Sequence, residues 1–386
     1  MTATMKVAVT ESMLINTKLT RLRFFIKILL LASLGFLSAC STTQYKMDYE
    51  VDPATAKIWP SPPEIPRYRF VGILTGEQNV KEIEESRSFG TKVADFFKML
   101  VGIRGENPTP VVLQRPQTGV IDNSGRILVT DISRRSVMVF DMDTGKLNEW
   151  SSATPNIPFI SPLGIAVGPK GTVYVADSEL NYVVQLDETG APIKQFGEEV
   201  FKRPTGVARD PVQGRIYVSE THAHDIKVFN DNGELIDVVG ARGTKIGEFN
   251  SPTHLSFANG NLYVTDTFNT RVQILTDAGD FKQEFGKRGR FVGDLVRPKG
   301  VTIDSEGNIY VIESLHDHLL VYNSKGDFLL PIGGTGTDIG QFYLPAGVWV
   351  DKNDRIYIAD MFNGRIVILQ YLGGKQAGKT GQSRLQ

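Results

Sequence analysis

The feature that most constrains the fold of this chain is a repeat that begins with a proline and occurs six times. Successive copies are separated by 46, 42, 48, 46 and 47 residues. The opening prolines are Pro116, Pro162, Pro204, Pro252, Pro298 and Pro345. The same seven-residue pattern recurs in every copy: GRILVTD at 125–131, GTVYVAD at 171–177, GRIYVSE at 214–220, GNLYVTD at 260–266, GNIYVIE at 307–313 and DRIYIAD at 354–360. One structural unit is therefore repeated six times.

Each copy contains four short runs of apolar, β-branched and aromatic residues, which are typical of strands. In the fourth copy these runs are Leu255–Phe257, Leu262–Thr265, Val272–Leu275 and Phe281–Phe285, with turn residues such as Asn259-Gly260 between them. Four antiparallel strands cannot bury both of their faces alone, so the copies must pack against one another. A period of this length predicts an all-β fold, a β-propeller of six blades.

The repeat resembles the NHL repeat. The shared patterns are Pro-x-Gly-Val-x-Val-Asp, then Gly-Asn-Ile-Tyr-Val-x-Asp, then Arg-Ile-x-Val-Phe, and the resemblance covers roughly residues 113–372. It implies a propeller fold. It does not imply one activity, because propellers carry unrelated functions on one scaffold.

The sixth copy lacks a fourth strand, since residues 373–386 form a polar, glycine-rich tail that we expect to be disordered. The segment Tyr68–Leu74 alternates like the fourth strand of a blade. We therefore predict that this N-terminal strand closes the ring on blade six, because an open ring would leave an exposed sheet edge.

The N-terminus predicts a lipoprotein signal over residues 1–39. Basic residues precede an apolar run from Ile28 to Leu37, which is too short for a stable membrane-spanning helix. The run ends in Leu37-Ser38-Ala39-Cys40, which resembles a bacterial lipobox, and Cys40 is the only cysteine in the chain. The resemblance implies lipidation of Cys40 and attachment to the bacterial cell envelope. Because Ser41 follows the cysteine instead of an aspartate, it favours the outer membrane, facing the periplasm.

Between the anchor and the first blade, composition predicts two segments. Residues 40–63 are polar and proline-rich, which favours an extended spacer that buries no core. Residues 64–112 hold the closure strand and, within 80–103, a helical period with Val93, Phe96 and Phe97 on one face. We expect a short helix at 91–103, packed on the propeller rim or docking a partner or the lipid surface.

Strand order places the functional residues on one face. The loops between second and third strands, and the connectors from one blade to the next, all return to the face where each first strand begins; we call it the loop face. It carries all five histidines, namely His222, His224, His254, His316 and His318. Imidazoles with nearby carboxylates suit a divalent metal such as zinc, and His254, His224 and His316 are the candidate ligands. The alternative is a set of exposed loop histidines.

One NHL-like enzyme class, the peptidyl-hydroxyglycine amidating lyases, holds zinc through three histidines, two of which directly follow a blade-opening proline. In this chain the residues after the prolines are Gln117, Leu163, Thr205, Thr253, Lys299 and Ala346. None is a histidine, so the resemblance does not extend to that metal site.

The strand-end acids recur at one blade position, which indicates a structural role as acceptors for loop N–H groups. They are Asp131, Asp177, Glu220, Asp266, Glu313 and Asp360. Basic residues also gather on the loop face, including Arg134, Arg203, Arg288, Arg297 and Lys299. They predict either a solvated mixed-charge rim or a site for an anionic ligand such as a sugar acid, a lipopolysaccharide phosphate or an acidic protein.

Charge argues against nucleic acid as a partner. The formal net charge is −1, and residues 1–39 contribute +4 of it, so the processed chain is near −5. Two functional hypotheses follow. The first is a lipid-anchored, monomeric binding scaffold that presents the loop face to an envelope protein or glycan. The second is a metal-dependent lyase or hydrolase with a histidine-rich channel mouth.

Overall fold

The structure, a computed structural model, describes residues 44–83 and 109–373. The chain divides into two compact units. Of the first unit, which comprises residues 1–46 and 82–109, only residues 44–46, 82–83 and 109 are described. The second unit, residues 47–81 and 110–386, holds the propeller. Among the described residues, no helix has the length and apolar character needed to cross a membrane.

Six antiparallel sheets of the second unit are the six predicted blades. Blade 1 comprises strands β5 (Pro116–Ile121), β6 (Ile127–Asp131), β7 (Ser136–Asp141) and β8 (Lys146–Trp150). Blade 2 comprises β11 (Pro162–Val167), β12 (Val173–Asp177), β13 (Tyr182–Leu186) and β14 (Pro192–Phe196), preceded by the small hairpin β9 (Ser152–Thr154) and β10 (Ile157–Pro158). Blade 3 comprises β15 (Pro204–Asp210), β16 (Arg215–Glu220), β17 (Asp225–Asn230) and β18 (Leu235–Val239).

The second half of the ring repeats the arrangement. Blade 4 comprises β19 (Pro252–Ala258), β20 (Asn261–Asp266), β21 (Arg271–Thr276) and β22 (Phe281–Phe285). Blade 5 comprises β23 (Pro298–Ile303), β24 (Ile309–Glu313), β25 (His318–Tyr322) and β26 (Phe328–Gly333). Blade 6 comprises β27 (Val348–Val350), β28 (Arg355–Asp360) and β29 (Arg365–Tyr371), completed by β2 (Ile58–Trp59) and β3 (Tyr68–Leu74). The other strands are β1 (Tyr45–Met47) and β4 (Val80–Glu82).

The turn Asn259-Gly260 shows how local sequence sets the blade. Both residues have positive φ, 52° and 69°, as a tight two-residue hairpin turn requires. The hairpin fixes the register of β19 on β20, with Phe257 opposite Leu262. A one-residue slip would turn the apolar side chains away from the neighbouring blades.

The N-terminal strand closes the ring as predicted. Strand β3 pairs antiparallel with β29, from Leu74 opposite Ile366 to Tyr68 opposite Tyr371. Strand β2 adds a fifth strand outside β3. The predicted helix at 91–103 lies outside the described residues, as do all of residues 84–108. The helical period was predicted to begin at residue 80, but residues 80–82 form strand β4.

Residues 47–59 differ from the predicted spacer because they pack on blade 6. The Val51 N–H donates to the Val71 carbonyl (2.8 Å), and a Cβ at Gly72 would lie 1.7 Å from the Tyr49 carbonyl oxygen. Met47 is buried in the core between blades 6 and 1. The alternating sequence Met-Asp-Tyr-Glu-Val at 47–51 has the period of an edge strand, and the free edge of β3 gives it a partner. Proline content alone was therefore a misleading guide to this segment.

The core consists of six apolar clusters, each between two neighbouring blades. The tyrosine of the repeated strand pattern lies in these layers, as Tyr174 and Tyr310 illustrate with fully buried rings. Each blade therefore buries its apolar faces only against the two neighbouring blades, and the ring must close so that no apolar face is left exposed.

The repeated strand-end acids have the structural role that their period indicates. The buried Asp177 carboxylate accepts the N–H groups of Ile160 and Ser161 before its blade and of Glu179 and Leu180 after it, at 2.8–3.1 Å. Each such acid ties the connector that enters the blade to the loop between its second and third strands. Asp266 and Asp360 bond the side chains Asn269 and Asn363 at the equivalent place.

Candidate functional site

A cavity with a volume of about 1100 Å³ occupies the central channel of the propeller. Its walls are the first strands of the six blades, β5, β11, β15, β19, β23 and β27. These strands approach closely: a Cβ at Gly206 would lie 2.5 Å from the Thr253 carbonyl oxygen of the next blade. Glycine at this position therefore lets neighbouring first strands pack backbone against backbone.

The channel lining is cationic. It contains no Asp or Glu, while its basic and imidazole side chains are Arg115, Lys170, Arg203, Arg209, Arg297, Lys299, His222 and His254. At the end opposite the loop face, Arg209 is neutralised by Asp231, with N–O distances of 2.8 and 2.6 Å. Lys170 lies exposed at the same end, on the loop between β11 and β12. The other four cations lie at the loop-face end, which we call the channel mouth and define by Arg115, Arg203, Arg297, Lys299 and His254.

Three arginines of the mouth occupy one position in alternate blades. Arg115, Arg203 and Arg297 each precede the proline that opens blades 1, 3 and 5. At the same position Ser161 and Ser251 open blades 2 and 4. The guanidinium groups are thus distributed around the channel instead of lying on one side.

The strand-end acids fix the backbone of each arginine. The N–H of Arg297 donates to both carboxylate oxygens of Glu313 (3.0 and 2.9 Å), and its carbonyl accepts the Ser314 N–H (3.2 Å). Arg203 is held in the same way by Glu220, and Arg115 by Asp131. The backbone is therefore rigid where the three side chains leave it, while the side chains themselves are exposed.

Lys299, one residue after Pro298, is the half-buried cation of the mouth. Burial, together with the smaller effects of the charges of Arg297 and Arg115, lowers the pKa of its ammonium group to about 8. Among the described residues, no carboxylate forms a salt bridge with Lys299 or with the three arginines. The mouth thus concentrates positive charge without a counter-ion from the described protein.

His254 stands in the column that glycine occupies in blades 2, 3, 5 and 6. Burial, and then the charge of Lys299, lower the pKa of its imidazole to about 3. The ring is therefore neutral at physiological pH, and its Nδ1 lies 3.2 Å from the Thr253 hydroxyl.

The hydroxyl groups around the mouth serve the scaffold. Thr205 donates to the carbonyl of Thr253 (3.0 Å), and Thr265 donates to that of Lys299 (2.6 Å). Thr267 donates in the same way to Pro298 (3.0 Å). These hydrogen bonds connect neighbouring blades and occupy the hydroxyl groups. The hydrogen-bond donors that remain for a ligand are therefore mainly the Lys and Arg side chains.

The predicted zinc ligands are not brought together, and this expectation is corrected. His224 Nδ1 accepts the Ser251 N–H at 2.9 Å, which occupies one ring nitrogen, and His316 is exposed outside the channel lining. His254 alone of the three lines the channel. Within residues 44–83 and 109–373, no group of three or more His, Cys, Asp or Glu side chains is placed to hold a metal ion.

The other predicted site residues divide between the mouth and the rim. Arg297 and Lys299 line the channel, as does the exposed His222. His318 begins β25 opposite Glu313, outside the lining. Arg134 is paired with Glu149 (2.8 Å), and Arg288 is exposed on the connector between blades 4 and 5.

Sequence reasoning missed Arg115 and gave Arg203 no special place. The signal was present: both residues precede a blade-opening proline, as Arg297 does. Comparing that one column across the six copies would have found the alternation.

Comparisons with known proteins agree with this architecture. An NHL-repeat family model matches residues 201–229, and a family model described as a 6-bladed beta-propeller matches residues 248–323 and 304–376. The search of curated proteins found no match. The chain therefore has the six-bladed β-propeller fold and carries NHL-type repeats.

Solved structures resemble the chain at low identity. A protein of unknown function from Bacteroides thetaiotaomicron is 15% identical, with 86% of this chain and 90% of that chain covered and a TM-score of 0.54. A catalytically inactive virginiamycin B lyase from Staphylococcus aureus with quinupristin is 14% identical, with 85% and 99% covered and a TM-score of 0.52. A nidogen–laminin complex gives 14% identity, 82% and 97% coverage and a TM-score of 0.51. At such identity the likeness shows the fold alone, and these folds include both an enzyme and a protein-binding propeller.

Proposed function

We propose that this protein is a binding propeller of the bacterial cell envelope, anchored by a lipid on Cys40 in the outer membrane and facing the periplasm. Its channel mouth holds an anionic group of an envelope glycan or protein. The observation that carries this proposal is the channel mouth, where four Lys and Arg side chains have no carboxylate partner among the described residues.

The chemistry of the mouth selects the ligand class. Lys and Arg side chains only donate hydrogen bonds, so the complementary ligand only accepts them. Carboxylate, phosphate and sulfate groups meet this requirement, whereas a neutral sugar needs acceptors as well as donors. The fork of an arginine also matches the paired oxygens of these anions.

The energetics favour binding over a purely structural role. Burial of the Lys299 ammonium group, and then the like charges of Arg297 and Arg115, raise the free energy of the empty site and lower the pKa of Lys299. An anion relieves this repulsion on entry. Because the backbones of the three arginines are already fixed by buried acids, little further ordering of the chain is needed.

The test is calorimetric titration of the full-length protein with three probes of similar length, namely oligogalacturonate, a poly-glutamate peptide and a neutral glucan. We expect both anionic probes to bind, with affinities that fall as salt rises, and the glucan not to bind. The preferred anionic probe then distinguishes a glycan from a protein partner. Equal binding of the glucan, or no binding of either anion, would contradict the proposal.

The pKa of Lys299 predicts the pH dependence of this binding. An anion favours the protonated amine, so binding raises the pKa above its free value of about 8. Affinity should be constant from pH 5 to 7, where Lys299 is charged and His254 is neutral. Above pH 8 it should fall by up to about tenfold per pH unit, because one proton must be taken up. Calorimetry in buffers of different ionisation enthalpy measures that proton uptake directly; an affinity unchanged from pH 7 to pH 9.5 would show that Lys299 is not involved.

A further inference from the structure

Three successive blade connectors share a pattern that the channel site does not explain. They read GARGTKIGEF at 240–249, GKRGRFVGDL at 286–295 and GGTGTDIGQF at 333–342. Each is closed by a parallel bridge near its ends: Arg242 with Phe249, Arg288 with Leu295, and Thr335 with Phe342. The last residue of each bridge is fully buried, so the three connectors are built loops with a fixed base.

The same loops hold apolar side chains out into solvent. Ile246 and Val292, at equivalent positions, are each 60% exposed, and Phe291 is 83% exposed. Ile339 takes the equivalent place in the third loop. A phenylalanine at this exposure contributes almost nothing to the stability of the propeller, and its repeated neighbours indicate an external partner.

Charge distinguishes the first two connectors from the third. They carry five exposed cations around the apolar side chains: Arg242, Lys245, Lys287, Arg288 and Arg290. Their acids are used within the loops, since Glu248 accepts the Lys245 N–H (2.9 Å) and the buried Asp294 accepts the Phe291 N–H (2.9 Å). The third connector has no Lys or Arg. We call residues 242–246 and 287–292 the connector tips.

We propose that the connector tips dock on an anionic membrane surface, with Ile246, Phe291 and Val292 entering the headgroup layer and the flanking cations binding lipid phosphates. Apolar and aromatic side chains surrounded by Lys and Arg are the chemistry of proteins that lie on such an interface. A lipid layer also accepts protruding side chains without a shaped pocket, which suits tips that stand out individually from two neighbouring loops.

The course of the chain supports the same partner. Met47 belongs to the same buried cluster as Leu74 and Leu113, which lie at the loop-face end of blades 6 and 1. With the lipid on Cys40 that the proposed function includes, the seven residues to Met47 span at most about 25 Å when extended. The lipid on Cys40 is part of the proposed function, and this point rests on it. The exposure and the charge of the connector tips do not depend on that function.

The test uses the full-length protein incorporated in vesicles whose lipids carry brominated acyl chains, with a tryptophan introduced at the tip by Phe291→Trp. The matched control is Val212→Trp, because Val212 is 86% exposed on the loop between the first and second strands of blade 3, at the opposite face. Emission from wild type corrects for the three native tryptophans. We expect bromine to quench the tip tryptophan in vesicles containing phosphatidylglycerol and to leave the control unquenched.

Charge removal completes the test. Replacing Lys287, Arg288 and Arg290 by glutamine should weaken association of the tips with anionic vesicles roughly 100-fold and abolish the quenching, since each cation contributes about one factor of five. The Lys299→Gln variant should keep the quenching, so failure of the channel site and failure of the tips are separable. No quenching at residue 291 with anionic lipid, equal quenching at 212, or full quenching in neutral vesicles would each overturn the proposal; the first would point to a protein partner for the tips.

Discussion

We expect deletion of residues 64–76 to leave this protein without a folded propeller. The deletion removes β3, the strand that closes blade 6, and with it the buried side chains of Tyr68, Phe70 and Leu74. These side chains belong to the two clusters that join blade 6 to blades 5 and 1. Each buried apolar side chain contributes about 1.5–3 kcal/mol, and the loss of a whole strand of backbone pairing adds to it. The sum is comparable to the total stability of about 5–15 kcal/mol of an ordinary domain.

Circular dichroism melting and size-exclusion chromatography measure this effect. We expect the deletion variant to be aggregated or to lack a cooperative transition, because β29 is left as a free edge. Removal of residues 374–386, part of the polar, glycine-rich tail, is the control and should leave the melting temperature unchanged. A deletion variant of 64–76 that melts like wild type would show that the ring does not depend on its N-terminal strand.

The second large effect is on binding. The Lys299→Gln variant should lose about 10- to 150-fold in affinity for an anionic ligand, since a hydrogen bond to a charged group contributes about 1.5–3 kcal/mol. Stability should not fall. Lys299 has no salt-bridge partner among the described residues, and its removal relieves repulsion by Arg297 and Arg115. Loss of binding without loss of stability separates a ligand-binding residue from a structural one.

Calorimetry and thermal melting of the same preparations provide both readings. Lys352→Gln is the matched control, because Lys352 is exposed on the loop between the first and second strands of blade 6, at the opposite face. We expect the control to bind as wild type does. Equal affinity of the Lys299 and Lys352 variants would show that the anion binds elsewhere.

Much of the fold could be predicted from the sequence because the same pattern of strands and turns occurs in six copies. Any single strand run, such as Leu262–Thr265, is ambiguous, but six registered copies fix both the strands and their turns. The closing strand Tyr68–Leu74 was predictable for a topological reason, since the sixth copy is one strand short. The buried acids were predictable from their period, and Asp177 with its four backbone N–H partners has the expected role.

The remaining features depend on which residues the ring brings together. Residues 47–59 were misjudged because the prolines of segment 40–63 outweighed the alternation at 47–51, whose partner edge is distant in sequence. The zinc hypothesis failed because histidines on one face need not converge, and His224 already accepts a backbone N–H. The channel mouth was only partly anticipated. Lys299 and Arg297 were named, but Arg115 lies more than 180 residues away, and its proximity depends on closure of the ring.

The most direct measurement of an anion site at the channel mouth is anomalous diffraction from crystals of the protein soaked in selenate, a tetrahedral anion that scatters strongly. We expect a selenium peak at the position of a selenate whose oxygens lie within hydrogen-bonding distance of Lys299 Nζ. This peak should disappear when the crystal also contains the anionic ligand that binds most tightly in the titrations. It should also be absent from crystals of the Lys299→Gln variant. Selenium peaks confined to the outer surface, with none in the mouth of the wild-type protein, would contradict an anion-binding function for this channel.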